Sequence, residues 1–250
     1  DSSCNTYFAT IYKKILEKKP DSKQGINNWK SHVNSFGLGN YLGYDHPLGQ
    51  PGLIPDSKYY DNWYPNNSWR AATTISNGIG QGEILTTPIQ LGNIAAAIAN
   101  RGWYITPHFV KKISNDSIDL KYREKKYSSV DSIHFEKIVK GMYDVIEVGT
   151  AQNSKIQGIE VVGKTGTAEN FIKINGLRKQ LTDHSIFIGF APKENPKIAI
   201  AVFIENGYWG TRWAAPIASL MMEKYLNKNI NRKYLEKYIL KGNLMKEYLK

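Results

Sequence analysis

The sequence predicts an α+β fold in which an antiparallel sheet is flanked by helices. Segments with helical periodicity come first, and β-branched runs follow after residue 158. The apolar runs at 185–191 and 197–205 are joined by the short turn "PKENPK", so the two strands must be antiparallel. Helices followed by a β-meander and a last helix indicate an α+β arrangement and not alternating βαβ units.

The individual elements follow from periodicity and from punctuation by proline and glycine. The segment 88–101 has proline at its first turn and stops at Gly102, which is typical of a helix. The segment 37–87 is rich in Gly, Pro, Asn, Tyr and Trp and lacks a clear period, so it is predicted to form functional loops. Helices are predicted at 5–18, 25–36, 88–101, 133–147 and 213–227, strands at 103–113, 159–167, 185–191 and 197–205, and a basic helical tail at 229–250.

Composition limits the functions that the chain can have. With 41% hydrophobic residues among 250, the chain can bury a core, and no apolar run is long enough to span a membrane. Cys4 is the only cysteine, which excludes an intrachain disulfide and a Cys-rich metal site, and the five histidines lack metal-ligand spacing. The net charge of +11 is spread along the chain without a nucleic-acid motif. We therefore expect no cofactor, no metal and no nucleic-acid partner.

The stretch "GIEVVGKTGTAEN" (158–170) fits two motifs with different chemistry. One is the P-loop, G-x-x-x-x-G-K-T, which cradles phosphates. The other is K-T-G, which occurs in serine acyl-transfer enzymes. Its surroundings disfavour the P-loop, because "AQNSKIQ" is a poor preceding strand and Gly166 would fall inside the helix that must follow. One observation favours nucleotide binding: Glu205 ends an apolar run, where it could resemble the acidic metal-binding residue at the end of a strand.

A strand at 159–167 suits acyl transfer. Lys164 and Gly166 would share one face, and Thr165 and Thr167 would share the other. Lysine supplies a cation near a nucleophile, threonine a hydroxyl for a carboxylate, and glycine a position where substrate can lie against the backbone. The backbone N–H just after the glycine can donate to the developing oxyanion. The alternative is a chance Lys-Thr-Gly in a surface strand.

Ser3-Cys4-Asn5 supplies a second motif, S-x-N, at the start of a predicted helix. Ser and Asn are also ordinary helix N-cap residues, so the motif alone does not decide between catalysis and capping. Its position ahead of K-T-G, with "GIGQGEILTTPIQLGNIAAAIANRG" (78–102) in between, favours catalysis.

Taken together, these motifs resemble the transpeptidase domain of class B penicillin-binding proteins, and within them the elongation-type group. The resembling segments are "SSCNTYF", "FGLG", "GIGQGEILTTPIQLGNIAAAIANRG", "GKTGTAEN", "DHSIFIGFAP" and "IAIAVFIENG". The resemblance implies a β-lactamase/transpeptidase-like fold of which this chain is a part. It implies that residues 1–228 form the C-terminal part of the transpeptidase domain and that 229–250 form a basic tail.

The resemblance also implies a mechanism and a role for each matching residue. A serine of an S-x-x-K motif attacks a D-Ala-D-Ala stem peptide, releases D-Ala and passes the acyl group to an amine. Ser3 would relay a proton, Asn5 would hold the substrate amide, and Lys164 would supply positive charge. The hydroxyls of Thr165 and Thr167 would bind the carboxylate of the stem peptide or of a β-lactam, and Thr167 N–H would form half of the oxyanion hole.

The sequence departs from the family at the nucleophile, because none of its serines is followed by lysine at the third position. The chain therefore looks like a fragment that begins inside a domain and does not acylate alone. The resemblance implies that the complete protein lies at the periplasmic face of the bacterial inner membrane, with its anchor upstream. Its expected partners are a membrane glycosyltransferase and elongation-complex proteins.

Several alternatives remain open from the sequence. Asp183 and His184 would either face the cleft or be ordinary polar residues at a strand edge. A β-lactamase or β-lactam-sensing receptor shares the motifs, and a non-catalytic scaffold module of the cell-wall machinery would lack the nucleophile. The aromatic segment "YYDNWYPNNSW" (59–69) would either grip a glycan or a partner protein or form a packed surface loop.

Overall fold

The computed structural model describes residues 3–18, 21–114 and 117–248, with the side chains of 67, 247 and 248 left out. These residues form two compact units. The first, called the helical unit, comprises Ser3–Ala97 and Gly102–Asp131, and the second, called the sheet unit, comprises Ile98–Arg101 and the chain from Ser132 onward. None of the helices in the described ranges is long and apolar enough to cross a bilayer.

The helical unit contains helices α1 to α4 and one short antiparallel pair of strands. Its elements are α1 (Asn5–Glu17), α2 (Ser22–Asn34), α3 (Ser57–Trp63), a 3-10 stretch at Ala71–Ile79, α4 (Pro88–Ala99, shared with the sheet unit), β1 (Trp103–Tyr104) and β2 (Lys126–Tyr127). Helices α1 and α2 approach closely at Gly25, where a Cβ atom would lie 2.3 Å from the carbonyl oxygen of Leu16. The core of this region consists of Tyr12, Leu16, Ile26, Tyr60, Trp69 and Ala71.

Carboxylates fix the starts of two of these helices. Asp21 accepts from the N–H of Gln24 at 2.8 Å, and Asp56 accepts from the N–H of Tyr59 at 2.9 Å. Asp56 also pairs with Lys30 of α2 at 2.8 Å. The N-cap of α3 is therefore held against α2 as well as against its own first turn.

The sheet unit contains a three-stranded antiparallel sheet, a separate hairpin and four helices. Its elements are α5 (Phe135–Glu147), β3 (Val162–Ala168), β4 (Phe171–Ile174), β5 (Leu177–Gln180), β6 (His184–Ala191), β7 (Ile198–Ile204), α6 (Ala214–Asn227), α7 (Lys233–Lys241) and α8 (Leu244–Tyr248). The strand order in the sheet is β3-β6-β7, and β4 pairs only with β5. The predicted α+β fold with antiparallel strands flanked by helices is confirmed.

The two faces of the sheet pack against different helices. Phe187 and Val202 lie directly opposite each other and are buried with Ala215 and Met222 of α6. On the other face, Val162 lies opposite Phe190, and both pack on Val139 and Met142 of α5. The strands are thus fixed from both sides, and a slip of one residue would turn their buried side chains outward.

Several boundaries differ from the sequence-based expectations. The predicted strand 103–113 is wrong beyond Tyr104, because Pro107 cannot donate to a ladder and the N–H groups of Phe109 and Val110 bond to the carboxylate of Asp45 instead. The segment 37–87 is not all loop, since it contains α3 and the 3-10 stretch. The strand predicted at 159–167 begins only at Val162, because Ile159 N–H closes a turn onto Ile156.

The hairpin β4–β5 was not predicted, although the sequence carries a signal for it. Asn175 and Gly176 both have positive φ angles, 51° and 79°, as the central residues of a tight hairpin turn require. The dipeptide Asn-Gly between "FIKI" and "LRKQ" is the corresponding sequence pattern.

Candidate functional site

The motif Lys164–Thr167 lies on an outer strand of the sheet. Lys164 pairs with Ile188, Thr165 with Phe187, and Thr167 with Ser185, all across the boundary between β3 and β6. Within the described ranges, no further strand pairs with β3 on its other edge. An extended peptide can add to such an edge through main-chain hydrogen bonds.

The side chains of the motif divide between the two faces of the sheet. Thr165 and Thr167 lie opposite Phe187 and the buried Ser185, so they belong to the face that packs on α6. Lys164 and Gly166 belong to the opposite face. The motif therefore presents hydroxyl groups to one side and a cation to the other.

Lys164 is partly buried, and its Nζ donates to the carbonyl oxygen of Thr165 at 2.8 Å. Burial lowers the pKa of Lys164 below its ordinary value of 10.5, because removal from water disfavours the charged ammonium. A lysine with a lowered pKa at a strand edge can hold a charge and can also exchange a proton more easily than an exposed lysine.

A loop formed by residues 205–213, called the β7–α6 loop, lies against β3 at the motif. A Cβ atom at Gly210 would lie 2.5 Å from the carbonyl oxygen of Ile186 and 2.7 Å from that of Gly166. It would also lie 3.0 Å from the Cβ of Thr165. Only glycine allows the loop to approach β3 this closely.

Hydrogen bonds hold the β7–α6 loop in place. The hydroxyl of Ser185 donates to the carbonyl of Trp209 at 2.9 Å and accepts from the N–H of Ala214 at 3.1 Å. Asn153 donates from Nδ2 to the carbonyl of Thr211 at 3.0 Å. The hydroxyl of Thr150 lies 3.4 Å from that of Thr165. Thr165 thus lies between Thr150 and the β7–α6 loop.

These supporting residues were missed in the sequence. Thr150, Asn153 and Gly210 lie outside the recognised motifs, and their partners lie far from them along the chain. The only local signal is a glycine among large side chains in "YWGTRW" (208–213), which marks a close backbone approach without naming its partner.

Asp183 and His184 make contacts that support the same loop. Nδ1 of His184 accepts from the N–H of Asn206 at 3.2 Å, and its ring lies 5.1 Å from that of Phe203. The carbonyl of Asp183 accepts from the N–H of Tyr208 at 2.9 Å. Because His184 and Phe203 lie opposite Ala168 and Ile186, they share the sheet face of Lys164 and Gly166.

Ser3 and Asn5 belong to the helical unit, whereas Lys164, Thr165, Gly166 and Thr167 belong to the sheet unit. Asn5 is the first residue of α1, and the N-cap position is occupied by Cys4, which makes no side-chain capping bond. Ser3 and Asn5 are both exposed and neither is the capping residue.

No group of three or more His, Cys, Asp or Glu side chains in the described part of the chain is placed to hold a metal ion. The chemistry available at β3 is that of a lysine, two hydroxyls and backbone N–H groups.

Comparison with known proteins identifies the class. Residues 1–223 match the family described as penicillin binding protein transpeptidase domain, and the chain belongs to that family. It is 31% identical to peptidoglycan D,D-transpeptidase MrdA of Haemophilus influenzae, over 94% of this chain and 36% of that protein. The chain therefore spans well under half of the length of this curated relative.

Solved structures agree with this assignment. The crystal structure of Pseudomonas aeruginosa PBP2 in complex with WCK 5153 matches with a TM-score of 0.73 and 28% identity, over 92% of this chain and 47% of that chain. The complex between PBP2 and MreC from Helicobacter pylori matches with a TM-score of 0.66 and 27% identity, over 88% and 38%. The family resemblance predicted from the motifs is confirmed, and so is the transpeptidase-like fold.

Proposed function

We propose that this chain is the C-terminal part of a peptidoglycan D,D-transpeptidase that works through a serine acyl-enzyme. The observation that carries the proposal is the Lys-Thr-Gly-Thr sequence on an outer strand, with a partly buried lysine, in a chain of the transpeptidase family. An open strand edge suits an extended stem peptide, and a backbone N–H beside glycine suits the oxyanion of a tetrahedral intermediate.

Each motif residue has a proposed role in this reaction. Lys164 supplies positive charge, and the hydroxyls of Thr165 and Thr167 bind the terminal carboxylate of a D-Ala-D-Ala stem peptide or of a β-lactam. Gly166 leaves room for the substrate backbone, and Thr167 N–H stabilises the oxyanion. Support for Thr165 comes from its position between Thr150 and the β7–α6 loop.

Ser3 and Asn5 are proposed to act from the helical unit. Ser3 would carry a proton to the leaving D-Ala amine, and Asn5 would hold the substrate amide. Support comes from their exposed positions at the start of α1. For Asp183 and His184 we propose a positioning role, since both bond to backbone groups of the β7–α6 loop.

The reaction needs a nucleophile that this chain does not supply. The serine oxygen forms an ester with the penultimate D-Ala, and the terminal D-Ala leaves with the proton. An amine of a second peptide then displaces the serine. Because no serine here is followed by lysine at the third position, we propose that the nucleophile comes from residues outside this sequence.

The domain assignment, location and partners are proposed on the same basis. Residues 1–228 would form the transpeptidase part and 229–250 a basic tail, in a protein held at the periplasmic face of the inner membrane. The Helicobacter pylori complex of PBP2 with MreC supports elongation-complex proteins as partners, and a membrane glycosyltransferase is proposed with them.

Covalent labelling of the complete protein with a fluorescent penicillin tests the proposal. We expect a stable covalent adduct. Heat denaturation before labelling should abolish the adduct, and Lys164→Ala should strongly reduce its amount. Lys237→Ala, an exposed lysine on α7, is the matched control and should leave labelling unchanged. A folded protein without label would overturn the transpeptidase proposal, and rapid turnover of the penicillin would indicate a β-lactamase instead.

A further inference from the structure

The helical unit contains an open cavity of about 390 Å³ that no proposed step of acyl transfer uses. Its lining residues are Tyr59, Tyr60, Trp63, Tyr64 and Glu83. Four aromatic rings and one carboxylate are thus the described side chains that line it, and none of these residues belongs to the proposed catalytic set.

Helix α3 and its neighbours fix the aromatic rings. Tyr60 is fully buried, and its ring lies 5.3 Å from those of Tyr59 and Trp69 and 6.3 Å from that of Tyr64. Trp63 lies 6.3 Å from Tyr59 and is 69% exposed. The cavity therefore has a rigid floor at Tyr60 and a large indole that is available at its mouth.

The carboxylate of Glu83 is held by a hydrogen bond from the hydroxyl of Tyr60. The hydroxyl of Tyr60 donates to Oε2 of Glu83 at 2.6 Å and accepts from Nδ2 of Asn77 at 2.9 Å. Burial, and then the bond to Glu83, raises the pKa of Tyr60, so the hydroxyl keeps its proton and stays a donor.

Glu83 differs from Asp61 of α3 and from Asp56, the N-cap residue of α3. Asp61 pairs with Lys23 and Asp56 pairs with Lys30, each at 2.8 Å. Within residues 3–18, 21–114 and 117–248, no ion pair involves Glu83. Because no described side chain forms an ion pair with Glu83, its carboxylate gives the cavity a local negative charge in a chain with an excess of basic residues.

We propose that this cavity binds an organic ammonium group, such as the side-chain amine of a peptide. Aromatic rings attract a cation through their faces, and the carboxylate supplies the opposite charge. A sugar would also stack on Trp63, but it carries no positive charge to pair with the carboxylate of Glu83. The inference stands apart from acyl transfer, because it needs neither Lys164 nor a nucleophile.

The test uses the 250-residue chain with 5-fluorotryptophan and observes the fluorine signal of Trp63, assigned with Trp63→Phe. The probe is Nα-acetyl-lysine N-methylamide, and its neutral counterpart is Nα-acetyl-norleucine N-methylamide. We expect the lysine probe to shift the Trp63 signal in a saturable way at millimolar concentration, and the norleucine probe to leave it in place. Glu83→Gln, which keeps an acceptor for Tyr60, should weaken binding about tenfold or more.

Glu124→Gln removes an exposed carboxylate from the same unit and serves as the matched control, with unchanged binding expected. Trp63→Ala provides a second variant, because an exposed side chain can be removed without unfolding the chain. It should weaken binding of the lysine probe, measured by calorimetry or through the fluorine signals of the remaining tryptophans. Equal binding of both probes, or no effect of Glu83→Gln, would refute an ammonium site. Tighter binding of an N-acetylglucosamine disaccharide than of the lysine probe would establish a sugar platform and likewise overturn the proposal.

Discussion

At the scale of a single side chain, Lys164 illustrates how a residue with a proposed function opposes stability. It is partly buried, its Nζ donates to the carbonyl of Thr165, and burial lowers its pKa from the ordinary 10.5. At pH values between the pKa of Lys164 in the folded chain and 10.5, Lys164 binds more protons in the unfolded chain than in the folded one. The free energy of unfolding therefore rises with pH across that interval.

We expect Lys164→Met to stabilise the chain at neutral pH, since it removes a partly buried charge. The gain should shrink as the pH rises from the lowered pKa of the folded state toward 10.5, and it should level off above 10.5, where the lysine of the wild-type chain is neutral in both states. Urea denaturation at a series of pH values measures this difference. Lys237→Met, at an exposed site, should show no such pH-dependent gain, and a Lys164→Met variant that is less stable at neutral pH would refute the assignment.

Gly210 gives a second prediction for one residue. Gly210→Ala places a methyl group against the carbonyls of Ile186 and Gly166, which must move. We expect a loss of about 1–3 kcal/mol in the free energy of unfolding. In the complete protein, slower labelling by penicillin should accompany it. Gly141→Ala in α5, where a Cβ meets no atom within 4 Å, should instead stabilise by up to about 1 kcal/mol.

At the scale of elements, the hairpin β4–β5 contributes little to the stability of the sheet unit. All eight of its strand residues are exposed, and its one notable internal contact is the guanidinium of Arg178 at 3.9 Å from the ring of Phe171. A two-stranded hairpin with no core behind it is only marginally stable in water.

Replacing residues 171–180 by Asn-Gly should therefore be tolerated. The N–H of Leu181 already bonds to the carbonyl of Asn170, so these two residues can flank a tight turn. We expect the free energy of unfolding to change by less than about 1 kcal/mol, measured by chemical denaturation. A larger loss would mean that the hairpin packs on something that its exposure does not reveal.

Helix α6 is joined to the basic tail by a buried ion pair. Glu223 is 2% exposed and its Oε2 accepts from Nε of Arg232 at 2.9 Å, while Nη1 of Arg232 donates to the carbonyl of Lys155. The proposed tail at 229–250 is therefore anchored to α6 through Arg232, and Leu235 of α7 is buried as well. Its boundary at residue 228 stays a prediction.

Removing one partner of this pair should be costly. We expect Glu223→Ala to lower the free energy of unfolding by about 3–5 kcal/mol, because it leaves the guanidinium of Arg232 buried without its counter-charge. The control is Glu236→Ala, which breaks a more exposed pair with Lys233 and should cost less than about 1 kcal/mol. Thermal denaturation compares the two, and equal losses would contradict this account.

At the scale of the whole molecule, the charge of +11 predicts weak binding to any polyanion and no sequence readout. The chain should bind DNA and poly-glutamate alike at low ionic strength, and both should be released at about 0.2 M salt. Cation-exchange chromatography and fluorescence anisotropy measure this. Retention of DNA at a salt concentration that releases poly-glutamate would reveal a nucleic-acid partner that the sequence does not predict.

The sequence predicted those features that depend on neighbours along the chain. Periodicity placed the long helices, and the short turn between β6 and β7 fixed their antiparallel pairing. Lys164–Thr167 could be found because the whole motif lies in one strand. The contacts of Gly210 with Gly166, and the diversion of Phe109 to Asp45, could not be found, because both depend on residues that are distant in sequence.

The open edge of β3 also affects how the chain behaves in concentrated solution. A strand with unpaired backbone groups can form hydrogen bonds with the same strand of a second copy of the chain. A lysine on such a strand commonly prevents this pairing. The proposed binding of an extended substrate at this edge requires that the edge does not pair with further copies of the chain, and Lys164 is the charged residue of β3 that can prevent such pairing. Its replacement would remove a barrier to self-association together with the charge, so the stability of Lys164→Met has to be compared at several protein concentrations.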